Sequence, residues 1–241
     1  MVRAEGVYTL ETTPEEVAEI EHSMEREREV FARLKTAQVE QWVAWADERL
    51  ASKRVRAMVI PGNDDPQEID HVLAGARCLE YVHGRAQEIA PGIWMASRGE
   101  STPTPWHTPR EVPDEEFGQR VATVVAGIPD GATAIWNLHM PPYNTGVDAA
   151  PKLDDRLRVQ YDGSGDPILA PVGSVALRRL IEERQPTLAL HGHVHEARGR
   201  YTLGRTVGFN PGSAYADGAL LGVLVRISST KGLRSYTFTQ G

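Results

Sequence analysis

The spacing of apolar positions changes character near residue 53. From Thr13 to Leu50, the residues Val17, Ile20, Met24, Phe31, Leu34, Trp42, Trp45 and Leu50 recur at broadly helical intervals. Thr13, Pro14 and Glu16 supply an N-cap, a proline at the first helical position and a capping-box partner. The pattern therefore predicts a long helix filling most of residues 1–52. The Glu and Arg residues between its apolar positions read as a solvated face with i,i+4 pairs and no chemistry of their own.

Beyond this helix, short apolar runs alternate with helical segments. VRAMVI (55–60) reads as a strand ended by PGNDDP, and QEIDHVLAGA (67–76) as a helix. Strands are expected near CLEYVHG (78–84), GIWMASRG (92–99), ATAIWNL (132–138) and PTLAL (186–190). PDEEFGQRVATVVAG (113–127) and GSVALRRLIEERQ (173–185) read as helices, the second with Ser174 as cap. The Pro- and Thr-rich stretch 99–113 and the stretch from His139 to Pro171 are expected to be long loops, which are usually functional or disordered. From Gly199 onward, apolar runs separated by glycine-containing turns predict further strands. No internal repeat or linker divides the chain, so a single layered α/β domain over 1–241 is expected, residues 53–241 forming its core.

Composition narrows the partners. A net charge of −7 leaves no broad basic face for a nucleic-acid backbone. Cys78 is the one cysteine, which excludes an internal disulfide and argues against a thiolate metal site. The first residues lack the apolar core of a signal peptide, and the longest apolar run, GALLGVLV (218–225), is too short to span a bilayer. A cytoplasmic protein that binds neither membrane nor nucleic acid is the expectation.

Three predicted strands end in polar chemistry. VRAMVI runs into Gly62-Asn63-Asp64-Asp65, ATAIWNL into His139, and PTLAL into His191-Gly192-His193-Val194-His195. In open α/β sheets, ligands gather beyond the carboxyl ends of the strands, so these loops are expected to converge. Imidazoles, an amide oxygen and carboxylates without sulfur suit a transition metal or Mn²⁺. In an extended segment His193 and His195 would point to the same side. Each piece alone has a plainer reading: GNDD is ordinary turn chemistry, and a His-x-His pair is often structural.

Taken in order, GNDD, HMPPYNT, GHVH and NPGS resemble the C-terminal portion of the calcineurin-like metallophosphoesterase superfamily. More narrowly, they resemble the bacterial and archaeal phosphoesterases related to the cyclic-nucleotide phosphodiesterase of the Icc type. The likeness runs from about residue 55 to the C-terminus. It implies an α/β fold of two β-sheets packed face to face and flanked by helices, a four-layer arrangement. It also implies two divalent metal ions (Mn, Fe or Zn), with Asn63, His139 and His193 holding one ion and His195 the other. The activity implied is hydrolysis of a small phosphomono- or phosphodiester by a metal-activated hydroxide.

The chain departs from that family in two places. No Asp-x-His occurs, and the Gly-Asp of GSGDP (163–167) lies out of order for the family's Gly-Asp-x-x-Asp. An N-terminally incomplete fold with an incomplete site is therefore expected, the alternative being an inactive interaction or metal-binding module on the same fold. Asp64 is the catalytic candidate, standing where many relatives carry a histidine that protonates the leaving group. Close to cations it should be ionised, which makes it a poor acid at neutral pH. His191 and His107 are the substitutes, although His191 suits a supporting role and His107 a loop residue. Arg110, Lys152, Arg156 and Arg158 are possible phosphate contacts, and Asp148, Asp154 and Asp155 possible extra ligands.

Overall fold

A computed structural model describes residues 8–241. It is a mixed α/β structure built around a six-stranded sheet. The four inner strands, β4 (Ile93–Arg98), β5 (Thr133–Leu138), β8 (Leu188–Leu190) and β10 (Thr206–Asn210), run parallel. The edge strands β3 (Arg85–Ala90) and β9 (Gly199–Leu203) pair antiparallel to their neighbours. The order across the sheet is β3-β4-β5-β8-β10-β9.

The inner strands are mostly apolar on both sides because both of their faces are buried, as parallel sheets require. On one face Ala96, Trp136, Leu138 and Ala189 meet Phe117, Val121, Leu177 and Ile181 of helices α4 (Asp114–Val125) and α5 (Val175–Arg184). Alternate residues Ile93, Met95, Ile135 and Leu188 face the other way. They pack with Met58 and Ile60 from strand β1 (Ala57–Val59) and its exit, and with Val223, Val225, Ile227, Leu233 and Phe238 of the hairpin β11 (Leu221–Ser228) and β12 (Gly232–Gln240). Strand β1 pairs parallel with β2 (Leu79–Tyr81). This small sheet is covered by Val39 and Val43 of α2 (Met24–Leu50) and by Ile69 and Leu73 of α3 (Ile69–Ala74).

Several expectations change. The long N-terminal helix is broken into α1 (Pro14–His22) and α2 at Ser23, whose backbone is extended and whose hydroxyl accepts the Arg26 N–H. A serine offering its own hydrogen bond to the backbone starts a new helix at little cost, which apolar spacing does not register. Strand β3 falls outside the predicted elements. The stretch 139–171 is not structureless: β6 (Ala149–Pro151) pairs with β7 (Leu169–Pro171), and bridges Leu153–Val159 and Tyr161–Pro167 continue the arm. Ser174 caps α5 as expected, accepting the Leu177 N–H at 2.9 Å. No helix among the described residues is long and apolar enough to cross a membrane.

Phe117 is fully buried between α4 and the sheet. Phe117→Ala is expected to remove about 3–5 kcal/mol of stability, read from the midpoint of a urea unfolding curve.

Candidate metal centre

Because β4, β5 and β8 are parallel, their carboxyl ends lie along one edge of the sheet. His139 follows β5 directly and continues the ladder on both sides. Its N–H donates to the Arg98 carbonyl at 2.9 Å, and its own carbonyl accepts the Gly192 N–H at 2.9 Å. The exit of β1 abuts the exit of β4, where Gly99 is needed because a Cβ there would collide with the Pro61 carbonyl oxygen. Asn63 is thereby brought from the small sheet to His139 of the large one.

Three side chains converge. The Asn63 Oδ1 lies 2.9 Å from His139 Nε2 and 2.9 Å from His193 Nδ1. The two imidazoles meet edge to face, with ring centroids 5.3 Å apart. Gly62 leaves room for one of these rings, since a Cβ there would lie 3.0 Å from His139 Cε1. His193 takes a left-handed backbone with φ of 65°, and the buried Asn210 of NPGS braces its loop by donating to the carbonyls of Gly192 and Val194.

Burial sets the charge of this cluster. It pushes His139 down to about 3, helped by the neighbouring His193, His195 and His191. It likewise pushes His193 and His191 to about 4. The rings are therefore neutral near pH 7, as metal ligands must be. The Asn63 oxygen lies 2.9 Å from the facing nitrogen of each imidazole, so Asn63, His139 and His193 could hold one divalent ion once the two nitrogens give up their hydrogens.

The other predicted residues are not hydrogen-bonded into this trio. His195 is exposed and lies edge-on to Tyr215 at 5.4 Å, because the turn at His193 breaks the extended geometry that would have aligned the two histidines. The Asp64 side chain is 71% exposed and is ion-paired with Lys35 of α2 at 2.6 Å, so a helix read as chemically silent reaches the site. Asp65 turns inward to accept the Gly62 N–H at 2.7 Å, burial pushing its carboxyl up. His191 is a supporting residue: its Nδ1 faces the Leu138 and Met140 carbonyls and its Nε2 the Tyr201 hydroxyl. Arg110 is buried and bound to Asp70 and to the Asp65 and Pro66 carbonyls, which removes it from the possible phosphate contacts.

The acids are also committed elsewhere. Asp148 is fully buried and collects the N–H groups of Asn144, Thr145, Gly146 and Gly173. Asp154 pairs with Arg158, and Glu100 with Arg98 and Arg120. Among the described residues, no group of three or more His, Cys, Asp or Glu side chains is gathered to hold a metal, so the trio's third donor is an amide oxygen. Sequence reading also missed Thr108 and Glu111 on the Pro- and Thr-rich loop. Asn63 Nδ2 donates to Thr108 Oγ1 at 2.8 Å, and Thr108 Oγ1 donates to Glu111 Oε1 at 2.6 Å.

No family model matches the chain. It is 28% identical over 168 residues to the uncharacterized protein MJ1162 of Methanocaldococcus jannaschii, the match covering 68% of each chain. One crystal structure superposes with a TM-score of 0.58 at 14% identity, over 92% of this chain and 82% of the other. A second, TT1561 of Thermus thermophilus, gives a TM-score of 0.52 at 16% identity, over 84% of this chain and 79% of the other. At such identities these likenesses show a shared fold.

The buried histidines tie stability to pH. In the unfolded chain they take up protons below about pH 6.5, whereas the folded rings resist until about 3 for His139 and about 4 for His191 and His193. The unfolded state then binds more protons, so this stabilisation is complete above the unfolded value and shrinks as pH falls. In chelator-treated protein the urea midpoint is expected to drop from about pH 6.5 to about pH 5; a constant midpoint over that interval contradicts the neutral buried rings.

Proposed function

We propose that the chain is a metallophosphoesterase of the calcineurin-like type, hydrolysing a small phosphomono- or phosphodiester. The observation that carries this reading is the convergence of Asn63, His139 and His193 at the ends of three strands, with all donors neutral. The four-layer form of the fold is supported by the order of packing: α4 and α5, the six-stranded sheet, the smaller strand pairs, then α2 and α3 over β1 and β2. Asn63, His139 and His193 would hold one divalent ion (Mn, Fe or Zn), and His195 would belong to a second. When bound, such ions supply Lewis-acid polarisation of the phosphoryl group and a nucleophilic hydroxide near neutral pH.

The protein's own groups set the remaining conditions. The neutral trio adds no positive charge of its own, so an anionic ester is attracted only once cations are present. Asp64 is ion-paired with Lys35 and accepts its hydrogen bond, so both side chains are already engaged with each other. A leaving group of low pKa needs neither. The described residues bring no carboxylate into the trio, which favours as a second reading a metal-binding or interaction module without catalysis.

Metal content and hydrolysis of bis-p-nitrophenyl phosphate in Mn²⁺ separate the two readings. The enzyme reading expects turnover that His139→Ala reduces by roughly a hundredfold or more, as loss of a ligand removes the ion rather than merely loosening it. Bound metal without turnover in the unaltered protein supports the module and overturns the enzyme.

A further inference from the structure

We propose that Thr108 and Glu111 are positioning residues that fix which end of the Asn63 carboxamide faces His139 and His193. This rests on the reading of Asn63, His139 and His193 as a metal centre. The two ends of a carboxamide are nearly the same size, so shape alone does not choose between oxygen and nitrogen. Only the oxygen can bind a cation. If the group were reversed, its NH₂ would point at the imidazoles and the centre would lose a donor.

The choice is made on the side away from the histidines. Asn63 Nδ2 lies 2.8 Å from Thr108 Oγ1, which lies 2.6 Å from Glu111 Oε1. A hydroxyl carries one hydrogen, and an ionised carboxylate can only accept. The Thr108 hydrogen therefore goes to Glu111, and the lone pairs of Thr108 must be met by a donor, the Asn63 NH₂. Glu111 is well supplied as an acceptor, also taking the Thr104 hydroxyl and the Thr108 N–H. Burial opposes its ionisation, but the Thr104 and Thr108 hydrogen bonds hold its carboxyl below the usual range.

The loop that carries these residues is anchored to the same turn as Asn63. The Arg110 N–H donates to the Asn63 carbonyl at 3.0 Å, and the Arg110 guanidinium grips the Asp65 and Pro66 carbonyls. Ser101 exchanges main-chain bonds with Arg110 and Val112, closing the loop at its base. The direction of the chain from Asn63 through Thr108 to Glu111 is thus built into a braced segment. It also dictates the metal-free tautomers: both nitrogens that face Oδ1 must carry hydrogen, so His139 is protonated on Nε2 and His193 on Nδ1.

Two readouts test this, one of them independent of metal. In chelated protein, imidazole ¹⁵N chemical shifts are expected to report Nε2–H for His139 and Nδ1–H for His193. Thr108→Val, which removes the acceptor, and Glu111→Gln, which can itself donate, are expected to shift one or both rings toward the other tautomer. Thr108→Ser keeps the hydroxyl and is expected to restore the original pattern. In Mn²⁺ titrations followed by electron paramagnetic resonance, Thr108→Val and Glu111→Gln are expected to weaken binding about 10- to 100-fold, with Thr108→Ser close to the unaltered protein. Unchanged tautomers in both Thr108→Val and Glu111→Gln overturn the proposal, whatever the metal does. Failure of the unaltered protein to bind Mn²⁺ overturns the metal-centre reading instead, and the tautomer pattern still decides the orientation of Asn63.

Discussion

The hydrogen-bond ladder across the ends of β4, β5 and β8 is the constraint on which the site depends. His139 is the last residue of that ladder as well as a candidate ligand. Its main chain is held by Arg98 on one side and Gly192 on the other, so its ring leaves the sheet at a fixed height beside His193. The register of the ladder is in turn set by two buried faces. Met95, Ile135 and Leu188 fill one, and Ala96, Trp136 and Ala189 the other. A slip of one residue would exchange these sets, placing the bulk of Trp136 where Ile135 now fits.

Asn63 completes the cluster from a different sheet, which makes the site a product of layering. The β1–β2 pair stands against the large sheet through Met58 and Ile60, and the close approach of Gly99 to Pro61 joins the two strand exits. Burial at this junction has an electrostatic consequence. The three inner histidines resist charging in a poorly solvated space, so they stay neutral near pH 7. The packing that holds the strands together thus also sets the charge of the candidate site.

Much of this was legible in the order of residues. Each apolar run ending in Asn63, His139 or the His191–His195 cluster marked a strand and the polar group at its end, and His191 was expected in a supporting role. What could not be read was direction. His193 turns through a left-handed conformation, so the alternation that would align it with His195 does not hold there, and His195 faces Tyr215. Asp148 looked like a spare loop acid and is instead the buried hub of four main-chain N–H groups. Lys35 was one charge among many on a polar helix until packing placed it on Asp64.

By itself the sequence determined most of the elements and which polar residues stand at the ends of the strands. These follow from local periodicity and from the chemistry of single side chains. The meeting of Asn63, His139 and His193 was an expectation to which the tertiary structure gave contacts. Only the tertiary structure decided that Arg110 and Asp148 serve the backbone and that Thr108 and Glu111 stand behind Asn63. Those pairings join residues as far apart as Asn63 and His193, 130 positions along the chain. They depend on how sheets stack and loops close, and no spacing within one element encodes that.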